Sequence, residues 1–390
     1  MKFSFTKGGL SAVSLAVLIA LATPMAPAQA QAVRDKVLSI VSESAKAAGA
    51  TSVEWGNVSG SDAEFVVEDT ETSYENEGKE TSVSASKVVY SGAKPTADGG
   101  ISADAITATD LSFEADDGSF SVASLKVTNY VGPSPAKIKA KQGGSLRFDR
   151  IEATGIEVTD EKEKTVPIAA ITMTAADYVG DVPRKVGFEV KGVEVPVDAA
   201  DESMKDLAEL GYTKLKLDAA LGGAWDDKTG RLVVDQLSVT GADIGGVKLA
   251  FTLGGLTPAV VEALKQAEND QAKQMELLQG LTVEKLSLRY EDASLAKRVL
   301  ATQAKKQGVP ADALVMQLSA MVPMLVSAIG NKDFETKISN AAAAFLKAPK
   351  SLTVSANPAK PTPVAEIMGA AMMAPQSLPT VLGADVKAND

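Results

Sequence analysis

The 390-residue chain contains no histidine and no cysteine. Without histidine it lacks the side chain that ordinarily titrates near neutral pH, the Ser-His and Cys-His nucleophile pairs, and the commonest metal ligand. Without cysteine it has neither disulfide staples nor thiol chemistry, so stability must come from apolar burial. Aromatic residues make up only 5 %, and Trp55 and Trp225 are the only tryptophans. Aromatic platforms of the kind that carbohydrate sites use are therefore scarce. Glycoside chemistry by two carboxylates about 5 to 10 Å apart is the catalytic alternative that survives these absences. Positive charge is also short: 39 Lys and Arg face 50 Asp and Glu, for a net charge of −11. Such a surface repels nucleic acid and anionic headgroups at long range.

Recognisable cofactor frames are missing as well. Gly-Gly pairs beginning at Gly99, Gly143, Gly222, Gly245 and Gly254 have no phosphate-loop Lys-Ser/Thr sequel and no GxGxxG spacing, so they read as hairpin punctuation. Acidic clusters at Glu68–Glu71, Glu75–Glu80, Asp116–Asp117 and Asp226–Asp227 lack the alternating calcium-loop pattern. We expect no cofactor, no metal and no catalysis. The acidic runs read as solvated turns, and Glu68 to Glu80 as a mobile loop.

What is present begins with an export pattern. Lys2 and Lys7 precede an apolar run from Leu10 to Ala22, and Ala28-Gln29-Ala30 offers a small-residue cleavage site. An uncleaved anchor is the other reading, but the run is short for a span and Pro24 and Pro27 follow it. We expect a signal peptide at 1–30 and a periplasmic product with no stable transmembrane anchor. Cleavage removes two positive charges and moves the net charge from −11 to −13.

A Tyr-x-Gly-x-x-Pro frame occurs three times: Tyr90, Gly92, Pro95; Tyr130, Gly132, Pro135; and Tyr178, Gly180, Pro183. The last two copies belong to a longer internal match, Ile106 to Lys137 against Ile151 to Lys185, whose offset drifts from 45 to 48. Units of about 40 to 48 residues bury a face by stacking on their neighbours. In each frame we expect Tyr to close a strand, Gly to adopt an unusual backbone angle, and Pro to bar strand continuation.

Helical spacing of Val33, Val37, Leu38, Val41 and Ala45 predicts a helix within 31–50, capping the array. From 51 to 292 an alternation rich in Val, Ile, Thr and Phe predicts antiparallel strands, with helices near 201–210 and 257–279. The remainder, 293–390, is expected to be mainly helical with one strand near 352–356. Its most apolar helix, Ala313 to Ile329, reads either as a core helix under its neighbours or as a lid on an apolar groove. Met316, Met321 and Met324, with Met368, Met372 and Met373, supply soft, adaptable surface.

The meander LKLDAALGGAWDDKTGRLVVDQLSVTGADIGGVKLAFTLGGL, followed by a helix and LTVEKLSLRYEDASLAKRVL, resembles the AsmA-like superfamily of bacterial envelope proteins and its smaller periplasmic relatives. The likeness covers roughly residues 205 to 300 and includes no catalytic motif. It implies a long curved antiparallel sheet whose apolar face binds or conducts lipids. The expected fold is thus α+β: a repeat-built antiparallel β-sheet, elongated or curved and grooved, with a C-terminal helical segment. Leu215, Leu217, Leu249, Phe251, Met316, Met321 and Met324 are the candidate groove residues. The expected partner is a lipid or an envelope protein, and the alternatives are a periplasmic scaffold protein and a carboxylate-type hydrolase.

Overall fold

The computed structural model describes residues 33–76, 79–115, 118–140, 146–161, 164–268 and 270–390. The expected signal peptide, the Asp116–Asp117 pair and Gly143 lie outside them. The α+β expectation holds: among the described residues the strands form an antiparallel sheet of seventeen members, and helices gather toward the C-terminus. The chain divides into two compact units. One comprises residues up to Pro183 with Gly187–Glu194, the other Arg184–Val186 with Val195–Asp390.

The first unit opens with helix α1 (Val33–Ala47), whose Val37, Leu38, Val41 and Ala45 are buried. Strands β1 (Ala50–Glu54) and β2 (Val58–Gly60) both pair with β3 (Glu64–Asn76). Next come β4 (Lys79–Ser91), β5 (Lys94–Pro95), β6 (Ile101–Ala115), β7 (Gly118–Gly132), the short helix α2 (Pro135–Lys139), β8 (Arg150–Asp160), β9 (Thr165–Val179) and β10 (Val182–Pro196). Directly opposed residues of antiparallel strands project to the same face. Phe65, Tyr90, Ile106, Val127, Ile151 and Met173 therefore form one apolar row across six strands. Parallel rows and α1 complete a closed core.

A repeated irregularity marks this core. Inward positions in the six strands step by three residues instead of two at one level, as from Val67 to Thr70, Ala108 to Leu111 and Ala153 to Ile156. The extra residue is left-handed at Asp69 (φ 50), Asp110 (φ 49) and Gly155 (φ 60). Asp110 and Gly155 occupy matching places in the internal repeat, which is thus a repeated hairpin carrying a repeated bulge.

One expectation fails here. Of the predicted loop from Glu68 to Glu80, the described residues are instead the ends of two long strands, β3 and β4, while Glu77 and Gly78 lie outside them. The period-two pattern of Thr70 and Thr72 turned inward, both buried, overrides the charge of the outward glutamates. The strand closed by each repeated Tyr stops before its Pro, at Ser91, Gly132 and Val179. Pro95 ends β5, Pro183 is the second residue of β10, and only Pro135 leaves the sheet, opening α2. Short strands and strand starts have no need of that missing N–H.

The second unit holds helix α3 (Lys205–Glu209), a meander β11 (Lys214–Asp226), β12 (Arg231–Gly241), β13 (Gly245–Gly254), then helices α4 (Pro258–Gln266) and α5 (Gln271–Gln279), and β14 (Thr282–Asp292). Thr257 caps α4, accepting from the Val260 amide at 3.4 Å. The single helix predicted at 257–279 is two, because Asp270 starts a new one by accepting from the Lys273 amide. Helices α6 (Leu295–Gln307), α7 (Ala311–Val326) and α8 (Lys332–Lys347) precede β15 (Ser351–Ala356) and β16 (Thr362–Pro363). Helices α9 (Val364–Met373) and α10 (Leu378–Val381) and strand β17 (Ala384–Ala388) end the chain. The boundary expected at 292 is not a limit of either compact unit, because β15 pairs with β14 and β17 with β15, extending the meander.

Candidate functional site

In the second unit the register assembles an apolar face. Leu221 opposes Leu237, Leu237 opposes Leu249, Leu249 opposes Leu288, Leu288 opposes Val354, and Val354 opposes Val386. On one side runs the row Ala219, Val239, Val247, Tyr290, Leu352 and Ala388. On the other run Val234, Phe251, Leu286, Ala356 and Ala384. The opposite face carries Ser238, Lys248, Arg289, Thr353 and Lys387 in register, so one side is wet by composition.

Bulges keep the apolar face continuous. Between Val234 and Leu237 strand β12 carries extra length against β13, and between Gly222 and Gly223 strand β11 shifts against β12. A slip of one residue without this correction would turn every later side chain to the polar face.

The face is open. Leu288 is 46 % exposed and Val239 56 %, and Leu221, Leu237, Val247, Leu286 and Val354 are exposed too. By contrast, the first unit's central rows include Phe65, Val88, Leu111 and Ile156 at 2 % exposure or less. With strands about 4.8 Å apart and alternate residues about 6.8 Å apart, the uncovered floor from Leu221 to Val354 and from Val247 to Leu286 measures about 19 Å by about 14 Å. That places it at a few hundred Å², near the size of the largest apolar patch on a typical monomer, which is often functional.

Helix α8 walls one side. It runs beside β17, with Lys337 paired to Asp385 at 3.0 Å and the Ala344 carbonyl accepting from Asn389 at 3.1 Å. Phe345 meets the Tyr290 ring edge-on at 5.9 Å, so the end of α8 reaches across to β14. Burial, and then a 2.6 Å hydrogen bond to Asp292, push the Tyr290 hydroxyl well above the usual phenol range. Beyond the floor, Tyr212 donates or accepts at 2.8 Å with Ser294, and Arg298 stacks on its ring at 4.3 Å while bonding the Leu210 and Gly211 carbonyls. This clamp fixes α6 against the meander.

Of the expected groove residues, Leu217, Leu249 and Phe251 lie on the apolar face, half-buried, and Leu215 follows Leu217 by alternation. Met316, Met321 and Met324 belong to α7, whose main packing partners are α6 and α8. The core-helix reading of α7 is overturned: only 6 % of its apolar window is buried. Leu221, Leu237, Leu286, Leu288 and Val354 were missed. The alternation of Leu286, Leu288 and Tyr290 in β14 was the available signal, whereas the shifts around β12 are invisible without the register.

The repeated frame has a structural account. Gly92 (φ 63) and Gly180 (φ 58) are left-handed, and a Cβ at Gly132 would collide with the Tyr130 hydroxyl. Tyr90 and Tyr130 are buried, with Tyr90 stacked on Phe65 at 4.8 Å. The Tyr178 hydroxyl donates to the Phe148 carbonyl at 2.8 Å, tying the third copy to the neighbouring segment. Among the described residues no cluster of three acidic side chains is arranged to hold a metal ion.

A protein family described as "Uncharacterized protein" matches residues 238–389, which carry the floor from the middle of β12 to β17. No curated protein matches the chain.

Proposed function

We propose that the protein is an exported, non-catalytic envelope protein that holds a lipid acyl chain on the open apolar face of its second unit. The observation that carries this reading is the register-aligned row Leu221, Leu237, Leu249, Leu288 and Val354, apolar and exposed except for the half-buried Leu249, with a polar row on the reverse. An acyl chain fits the floor: its width of about 19 Å exceeds half of a bilayer hydrocarbon core of about 30 Å, the depth one lipid tail fills. Branched aliphatic side chains line it and make no directional demand on a ligand. The likeness of residues 205 to 300 to the AsmA-like superfamily agrees with this chemistry, and the export pattern of the first thirty residues supplies the periplasmic setting.

The test is native mass spectrometry, with organic extraction, of mature protein purified gently from the periplasm. A discrete added mass that extracts as lipid, and that is lost in Leu237→Asp, is the expected result. A bare polypeptide mass under the same conditions would remove the lipid reading and leave a scaffold for protein partners.

A further inference from the structure

From Ala313 to Asn331 and again from Ile367 to Ala384 the chain has no charged residue. The fold brings these two stretches to one place. A 3-10 turn at Ser327–Ile329 ends α7, and Asn331 then donates to the Gln376 carbonyl at 3.1 Å and to the Thr380 hydroxyl at 3.4 Å, just past the end of α9. Gly330 (φ 73) passes so close to Gln376 that a Cβ there would lie 3.2 Å from that side chain. The last turns of α7 and α9 therefore enter one clamp. They arrive with Met324 and Leu325 each 66 % exposed, and Met372 and Met373 84 % and 88 % exposed.

We infer that these two helix ends form a membrane-docking tip that inserts into the interfacial layer of a bilayer. Two features select a bilayer as the occupant. Methionine side chains are flexible and polarizable, matching a fluid apolar phase without fixed complementarity. The complete lack of charge suits hydrocarbon, where a single ionised group is costly. Helix α7 together with its 3-10 turn, Ala311–Ile329, is by length and composition long and apolar enough to cross a membrane. Yet Leu314 is buried, and the helix packs on α6 and α8 while Asn331 holds its far end. It is presented by the fold and lies in the interface plane, where apolar side chains reach about 5 to 10 Å below the headgroups. This tip is separate from the sheet face and needs no ligand there.

Flotation of the mature full-length protein with phosphatidylcholine vesicles, and with vesicles containing phosphatidylglycerol, tests the inference. Phosphatidylcholine vesicles should carry the protein at low and at high salt alike, because apolar insertion is not screened, and phosphatidylglycerol vesicles should carry it at high salt, where the repulsion of the acidic surface is screened. The double variant Met372→Glu/Met373→Glu should partition roughly tenfold less or weaker, with an unchanged thermal midpoint showing that it folds. Met324→Trp should be quenched by brominated lipid tails. Leu237→Asp, which removes the sheet-face ligand site, should float normally, so the two proposals fail independently. No flotation, flotation lost at high salt, or flotation unchanged in the double variant would overturn the inference. So would a dimer dissolved by the same substitutions, which would make the occupant a second copy of the chain.

Discussion

At the scale of single residues, the bulge level of the first unit decides which side chains are tolerated. Gly155 is left-handed, and a Cβ there would lie 2.8 Å from the Ala123 Cβ, closer than such carbons approach. Gly155→Ala thus meets two costs, about 1–2 kcal/mol for the backbone conformation plus the clash. Asp110, its counterpart in the preceding repeat, is left-handed too and accepts a hydrogen bond from Ser86 at 2.9 Å. Because Asp enters this region more readily than most residues, Asp110→Gly should change stability by less than about 1 kcal/mol. Denaturant midpoints of the two variants check this. Equal effects would mean that the bulge level is not what fixes the register.

At the scale of elements, the same period-two pattern produces two different surfaces. In the first unit the inward rows are closed, so Leu111→Ala should cost about 2–5 kcal/mol as a buried cavity. In the second, Leu288 is as inward by register as Leu111, but it is 46 % exposed. Leu288→Ser should cost well under half as much while abolishing any lipid mass, as paired melts and native mass spectra would show. A large loss of stability at Leu288 would mean that the face is a core in solution. This difference also explains what was legible in the sequence. Alternation announced β11, β13 and β14 and placed Leu217, Leu249 and Phe251 together. It could not say whether a face was covered, because cover comes from where α8 runs, and that depends on contacts such as Phe345 with Tyr290. The α4–α5 break escaped for a local reason: apolar spacing continues through it, and only the cap made by Asp270 ends the first helix. Charge misled at Glu68 to Glu80, since outward positions of a long hairpin tolerate it.

At the scale of the whole molecule, the composition fixes how stability responds to pH. Carboxylates with folded values below normal contribute stability above their unfolded values and lose it as acid is added. Asp98, held at about 2 chiefly by its hydrogen bond from Lys137, is one, and Glu209 beside Lys306 and Asp385 beside Lys337 are others. At the alkaline end the sign reverses. Burial pushes the Tyr74 hydroxyl up to about 12 and those of Tyr90 and Tyr130 higher still. An unfolded tyrosine ionises near pH 10. The contribution of these groups is therefore complete below about pH 10 and is lost as pH rises through their folded values. Between these limits ordinary proteins lose or gain stability through histidine, and this one has none. The midpoint of chemical unfolding should stay flat from about pH 5 to about pH 10 and fall beyond it, in step with tyrosinate absorbance. A clear inflection near pH 6 to 7 would require a side chain with a strongly displaced ionisation, and the carboxylates of the second unit would be the first to examine. A flat plateau instead means that no group titrating in that range differs between the folded and unfolded chain, so the sheet stays intact across it.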